Sequence, residues 1–366
     1  MAKILNKQDV KAIIYGACLM GAGGGGALES GLLLLEDYSK KREIAVKMQS
    51  LDEMEDGTYA GVVAGMGSPI KFKERGADFS VEPVVAYDAL KKVAFFMNKK
   101  ITTVLAVEYG ALNSFVPMMV AMENNEPFID ADGCGRAVPA LNTLLFDVNG
   151  IATAPNVMTN AKGDVMINYP VDPYDAKGLE NIGRYVCQAF DMLMGISGWI
   201  SSKEEIKNLL VPDAYTHAMK VGKAMLDAIE KKLDVTEEIK KVTPFRELWR
   251  GKLTKMETQV VGGFDIGRTF FEGIGAYEGK KFQVDYKNEN LVAFEDQKPL
   301  ITVPDIICFI NLDTGEPMSN ADVAEGQNVL VGAMPVHENW YKTDKGINCW
   351  KPFLEATGYT GKTIRF

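Results

Sequence analysis

Two hydrophobic periodicities divide the chain. Through roughly the first 170 residues, segments with apolar side chains three and four apart alternate with short β-rich runs. Ile13, Ile14, Ala17 and Leu19 recur at helical spacing and predict a helix that begins at a Gln8-Asp9 cap, with a second helix over Leu28–Tyr38. Extended runs fall at Glu43–Val46, Tyr59–Gly65, Thr102–Val107 and Pro127–Asp130, and helical ones at Pro83–Phe96 and Ser114–Asn124. Strands separated by helices of this length imply a parallel sheet covered on both faces. Residues 172–240 read as helices (Gly178–Met194, Ser201–Asn208, Asp213–Glu238), the last with Ala218, Val221, Met225 and Ile229 in one packing stripe. From Gly251 the pattern changes to strict alternation in short runs punctuated by Gly and Pro, which suggests a small barrel or sandwich. The expectation is an α/β domain over 1–170 and a second unit over 171–366, helical first and β from about 251, with the boundary in the proline-containing stretch Tyr169–Asp175.

Composition narrows the class. A chain of 366 residues with 47% hydrophobic and 24% charged side chains can bury two cores. The net charge of -9, with no Lys/Arg block, argues against a nucleic-acid partner. No run approaches the ~20 apolar residues of a membrane span, and the N-terminus lacks signal-peptide character, so a cytoplasmic protein without a membrane partner is expected. Cys18, Cys134, Cys187, Cys308 and Cys349 contain no CxxC pair and read mostly as buried small hydrophobes. A homo-oligomer is expected on general grounds.

Chemistry concentrates in four loops. Gly21–Gly26 formally matches GxGxxG, but a helix rather than a strand precedes it, which disfavours NAD(P). Gly23, Gly24, Gly25 and Gly26 still allow close approach of backbone to a ligand or to a neighbouring chain segment. Met66, Gly67 and Ser68 follow a strand at the end where α/β sheets bind ligands, a plain Gly/Pro turn being the competing reading. Glu108 follows the run ITTVLAV, where poor solvation would raise its pKa and suit a general base, and Asn113 beyond it is a candidate substrate contact; a helix N-terminal acid beside Asn113–Ser114 caps is the competing reading. The densest group is Asp130, Asp132, Gly133, Cys134 and Arg136: two carboxylates on one strand face beside a cation. No histidine lies near Cys134 in sequence, which weakens a nucleophile reading, and His217 and His337 are isolated. An oxygen-only Mg²⁺ site at Asp130, Asp132 and Glu108 stays open as the one divalent-metal option.

Seven segments taken together (GAGGGG, GMGSP, EYGALNS, IDADGCGRAVPAL, VVGGFDIGR, NENLVA and VPDIICFINLDTGEP) resemble, in order, the S-methyl-thiohydantoin desulfurase family of hydantoinase/oxoprolinase-associated proteins. The resemblance runs from about residue 8 to residue 335. It implies a three-layer α/β/α sandwich followed by a β-barrel-like domain, and turnover of small cyclic amides or thioamides. On that reading, water adds to C2 of a thiohydantoin or S-methyl-thiohydantoin ring with loss of sulfide or methanethiol. Asp130 or Glu108 would activate the water, Asp132 orient it, and Arg136 with the glycine-loop amides steady the developing anion, Gly133 lending the loop its flexibility. A non-catalytic role beside ATP-dependent hydantoinase or oxoprolinase subunits is the alternative. The chain departs from the family pattern at Cys134, Ala140 and Tyr109-Gly110-Ala111, all beside the candidate site.

Overall fold

The structure, a computed structural model, describes all residues except Met1, residues 68–70, 73, 74, 76, 77, 262 and 263, with the side chains of Val260 and Val261 also outside the description. Ser68 and the Gly262-Gly263 pair therefore lie outside the described residues.

The first sheet takes strands β1 (Lys3–Leu5), β2 (Val46–Gln49), β3 (Tyr59–Gly67), β4 (Ile101–Ala106), β5 (Phe128–Asp132), β6 (Asn156–Thr159), β7 (Val165–Asn168), β8 (Leu193–Ser202) and β9 (Val211–Pro212). Its order is β1-β2-β5-β4-β3-β8-β6-β7, with β9 added to β5. Only the centre is parallel, β2 with β5, β5 with β4 and β4 with β3; β8 runs antiparallel to β3, so the sheet is mixed. β8 corrects the reading of residues 172–240 as helices: it overlaps the ends of the expected helices Gly178–Met194 and Ser201–Asn208, and the first of these ends at Ala189. The reason is physical: nine of the ten residues of β8 are buried, because both flanking strands and both faces cover it, and a strand buried on two faces has no alternation to detect.

The long helices are α1 (Lys7–Met20), α2 (Leu28–Lys41), α3 (Val81–Phe96), α4 (Ala111–Asn124), α5 (Ala176–Ala189) and α6 (Ala214–Lys231). Asn6, not Gln8-Asp9, caps α1: its side chain accepts from the amides of Gln8 (2.9 Å) and Asp9 (3.0 Å), while Asp9 returns a bond to the Asn6 amide. α3 and α5 pack against opposite faces of β6, for Thr159 donates to the Glu82 carbonyl of α3 at 2.5 Å while its neighbour Met158 lies against Gly183 of α5. α1 and α6 cross where Ala12-x3-Gly16 meets Ala218-x3-Gly222. A Cβ on Gly16 would stand 1.9 Å from the Ala218 carbonyl oxygen, and one on Gly222 only 1.7 Å from that of Ala12. Ala218, Val221 and Met225 of the expected stripe are buried.

The second sheet is separate and wholly antiparallel. It comprises β10 (Arg246–Val261), β11 (Phe264–Gly273), β12 (Lys281–Lys287), β13 (Glu289–Glu295), β14 (Lys298–Thr302), β15 (Ile306–Asn311), β16 (Pro317–Met318) and β17 (Asn328–Met334), in the order β14-β13-β12-β11-β10-β17-β15-β16. Among the described residues no pairing joins β14 to β16, so the expected barrel is instead an open sheet. β16 is two residues long and begins with proline, and the C-terminal segment occupies the other edge, where the Thr302 amide donates to the Ile364 carbonyl at 3.0 Å. A core of Trp249, Phe271, Phe282 and Phe309 fills one side of this sheet.

Candidate functional site

The glycine run connects α1 to α2 at the junction of the two sheets. The Gly25 carbonyl accepts from the amides of Leu112 (3.1 Å) and Asn113 (3.2 Å) in the first turn of α4. Behind it, a Cβ on Gly110 would lie 2.2 Å from the Gly25 Cα, so neither residue admits a side chain. The Ala22 and Gly23 carbonyls accept from Asn290 and Asn320, each at 2.8 Å, and a Cβ on Gly24 would reach Glu289 Oε1 at 2.0 Å. Of the two readings held for these glycines, their close neighbours at Gly23, Gly24 and Gly25 are segments of the chain itself; Gly26 rests on Leu112.

Asn113 and Glu108 tie three of the sequence-predicted loops together. The Gly65 amide donates to Asn113 Oδ1 at 3.0 Å; Asn113 Nδ2 donates to Glu108 Oε1 at 2.9 Å; the Val138 amide donates to Glu108 Oε2 at 2.9 Å. Each carboxylate oxygen thus has one fixed donor and a free lone pair. Glu108 is only partly covered by surface measure, but the protein packed around its carboxyl makes desolvation the leading influence and pushes its pKa up to about 7, with Asp132 and Glu180 adding to the rise. Met66, partly exposed, accepts from the Cys187 thiol through its carbonyl at 3.6 Å, and Gly67 is pressed against the Met192 carbonyl; Gly133 packs under Val107 and the Phe146 ring.

Asp130, Asp132 and Arg136 are drawn into the fold. Asp130 accepts from the amides of Tyr215 (2.7 Å) and Thr216 (3.0 Å) and from the Thr216 hydroxyl (2.5 Å), so a strand residue caps α6 in place of its own N-cap Asp213. Asp132 accepts from the amides of Cys134 (2.8 Å) and Gly135 (2.6 Å) and from the Tyr215 hydroxyl (3.1 Å); burial still outweighs these donors and pushes its pKa up to about 7. The two carboxylates do share a strand face, both directed at the start of α6. Arg136 was expected on the substrate, but its fully buried guanidinium donates to the carbonyls of Ala137 (2.9 Å), Pro304 (2.6 Å), Asp305 (3.0 Å) and Asn290 (3.3 Å), with its plane over Trp350. It clasps the second sheet to the first. Cys134 is buried, its thiol pushed well up by burial, and its carbonyl accepts from Trp340. His217 bonds the Thr243 hydroxyl and His337 caps a short turn at Asn339.

Four residues beside Glu108 were not singled out from sequence. Glu180 accepts from the Leu141 amide at 3.1 Å and pairs with Arg184 at 2.6 Å across one turn of α5. Arg184 and Lys287 both lie against the ring of Phe264, 4.4 and 4.3 Å from its centre. Glu289 is buried, and its Oε2 has no hydrogen-bond partner among the described residues. Burial, and then Glu108, push its pKa well above the carboxylate range. The Glu180–Arg184 spacing was a readable signal; Glu289 lies in NENLVA, which was read only for the family resemblance. Among the described residues no three His, Cys, Asp or Glu side chains are grouped to hold a metal ion, Asp130, Asp132 and Glu108 included. No helix among them is long and apolar enough to cross a membrane.

Fold and site define a two-domain α/β-plus-β protein with a cluster of buried carboxyls where the sheets meet. Residues 8–169 match the family model for the S-Me-THD-like N-terminal domain, and residues 174–360 that for the C-terminal domain. The chain belongs to the S-Me-THD-like family. A crystal structure of a protein from Chromobacterium violaceum is similar over 100% of both chains, with a TM-score of 0.85 and 25% identity. No curated protein matches.

Proposed function

We propose that the chain is a hydrolytic desulfurase acting on thiohydantoin or S-methyl-thiohydantoin rings, with Glu108 as general base and Glu289 as the neutral acid beside it. The observation that carries this reading is the Glu108 carboxyl, oriented by Asn113 and Val138 and poised near pH 7, where a base both accepts and returns a proton efficiently. A pair of carboxyls whose surroundings separate their pKa values supplies complementary acid and base roles. Water adds its oxygen to C2 while Glu108 takes its proton, and the ring nitrogen or exocyclic sulfur receives the displaced electron pair. Collapse of the tetrahedral adduct breaks the C2–S bond. The leaving sulfur takes its proton from Glu289, and Glu108, ionised again after passing its first proton to the ring nitrogen or sulfur that received the electron pair, removes the hydroxyl proton as the C2 carbonyl forms and returns it to Glu289. The products are a hydantoin and hydrogen sulfide, or methanethiol from the S-methyl ring. Asp130, Asp132 and Arg136 hold the walls of this site and take no proton in it.

The test follows sulfide and methanethiol released from both ring types by the purified chain. Wild-type release with a fall of ~10²–10⁴-fold in Glu108→Gln is the expected result. No release from several 5-substituted rings, with stable capture of a hydantoinase subunit instead, would replace this reading with the accessory-subunit one.

A further inference from the structure

The first sheet ends on one side at β7, and this edge is unlike the others. The opposite edge, β1, is three residues long and carries Lys3, and the β14 edge of the second sheet is covered at Thr302 by Ile364. Charge, shortness and cover are the devices that keep sheet edges from pairing. Among the described residues β7 carries no charged side chain and no covering segment. Val165, Met166 and Ile167 are exposed, Ile167 by 52%, and Tyr169, at 68%, continues the run. Ile182 and Tyr185 (74% exposed) add to it from α5, whose Gly183 rests on Met158 of the neighbouring strand β6. Together with Val171 and Tyr174, these eight side chains present roughly 700 Å² of apolar surface, taking ~200 Å² for an exposed tyrosine and ~100 Å² for an aliphatic side chain. Spread over both faces of this edge, that area approaches the ~800 Å² each partner contributes to a stable interface.

We propose that β7 pairs antiparallel with β7 of a second copy about a two-fold axis through Ile167, joining the two first sheets into one. The register follows from the hairpin. The Asn160 amide donates to the Asp164 carbonyl at 3.3 Å, and bonded and non-bonded pairs alternate along an antiparallel ladder. Met166 and Asn168, opposite Met158 and Asn156, therefore turn their backbone groups inward, while Val165, Ile167 and Tyr169 turn theirs to the open edge. A two-fold axis at Ile167 sets that residue opposite itself and Val165 opposite Tyr169 of the second copy, so every outward amide meets an outward carbonyl. Pro170, which has no N–H, falls opposite Asp164 at a non-bonded position and disrupts nothing. Beyond these residues both ends leave the ladder, Lys162 in the hairpin loop and Asp172 in the turn that follows. The register is self-complementary, and the area exposed is close to what one partner of a stable dimer contributes, which favours a second copy as the occupant.

Sedimentation of the full chain at ~1–50 μM should give a dimer. Ile167→Lys, which puts two ammonium groups together at the axis on a surface exposed in the monomer, should shift it to monomer with unchanged circular dichroism. Ile167→Cys should cross-link to a covalent dimer under mild oxidation, since bonded antiparallel pairs hold Cα atoms ~5.5 Å apart, within disulfide reach. A monomer at all concentrations, or a dimer indifferent to Ile167→Lys, would overturn the proposal.

Discussion

Replacing Arg136 by methionine separates a structural clasp from a catalytic donor. Methionine keeps most of the apolar stem and removes every donor. The guanidinium makes four hydrogen bonds to backbone carbonyls, three of them on β13 or the turn before β15, and stacks on Trp350. At ~1.5 kcal/mol for each bond from a charged donor, the gross loss is ~6 kcal/mol. Against this stands the desolvation no longer needed. Burial is the leading influence on Arg136 and pushes its pKa down to about 10, which corresponds to ~3 kcal/mol recovered when the charge is deleted. Burial pushes the Glu289 pKa well up, and losing Arg136, which favours its charged form, pushes it further toward the neutral acid rather than stranding a charge. The net is ~3 kcal/mol, rising toward ~5 where stranded carbonyls find no water. Differential scanning calorimetry should register this as a melting midpoint ~5–15 °C lower. Turnover measured well below the transition should fall by less than tenfold. A variant that melted like the wild type yet lost turnover ~10²-fold or more would place Arg136 on the substrate and refute this account.

Other consequences follow from the same geometry. Glu108 and Asp132 both have pKa values raised by folding to about 7; a carboxyl shifted upward binds its proton more tightly when folded, so stability is fully present below the ordinary carboxylate range and is lost as pH rises through about 7. Melting midpoints should therefore be higher at about pH 5.5 than at about pH 8, and Glu108→Gln should flatten that difference. Gly222→Ala should destabilise by about 3 kcal/mol or more in chemical denaturation, because the added Cβ meets the Ala12 carbonyl rather than a side chain that can move aside. A fragment ending at residue 170 should fail to give a dispersed amide spectrum, since it lacks β8, the strand through which β6 and β7 attach to β3.

What could be read from the chain, and what could not, divides along the range of the forces involved. The amphipathic helices declared themselves because their own side chains carry the pattern, and α1, α2, α3 and α4 lie within a few residues of expectation. Glu108 was recognisable because its raised pKa follows from local context, a carboxyl directly after a buried strand. The cap of α6 was not, because its acceptor is Asp130 on a strand some eighty residues earlier in the chain. Arg136 beside two aspartates read as their counter-ion, yet its partners are carbonyls of a segment about 150 to 170 residues away. A guanidinium fully inside a protein takes whatever acceptors burial leaves unpaired, and sequence adjacency has no say in that choice.

The glycine run shows how the junction links the proposed acid–base pair, Glu108 and Glu289, to the fold. Gly25 holds the start of α4, and so Asn113, which orients Glu108; Gly24 makes room for Glu289; Ala22 and Gly23 bond the residues beside them. One six-residue loop thereby sets the positions of both carboxyls, although neither belongs to it. Glu108 contributes to the raised pKa of Glu289 only in so far as the two stay close, and Gly24, whose missing Cβ leaves room for the Glu289 carboxyl, helps to set that spacing. On the proposed mechanism the glycines need touch no substrate to matter: widening the loop would separate Glu108 from Glu289 and let water in to lower both pKa values, so a loss of turnover should precede any loss of fold.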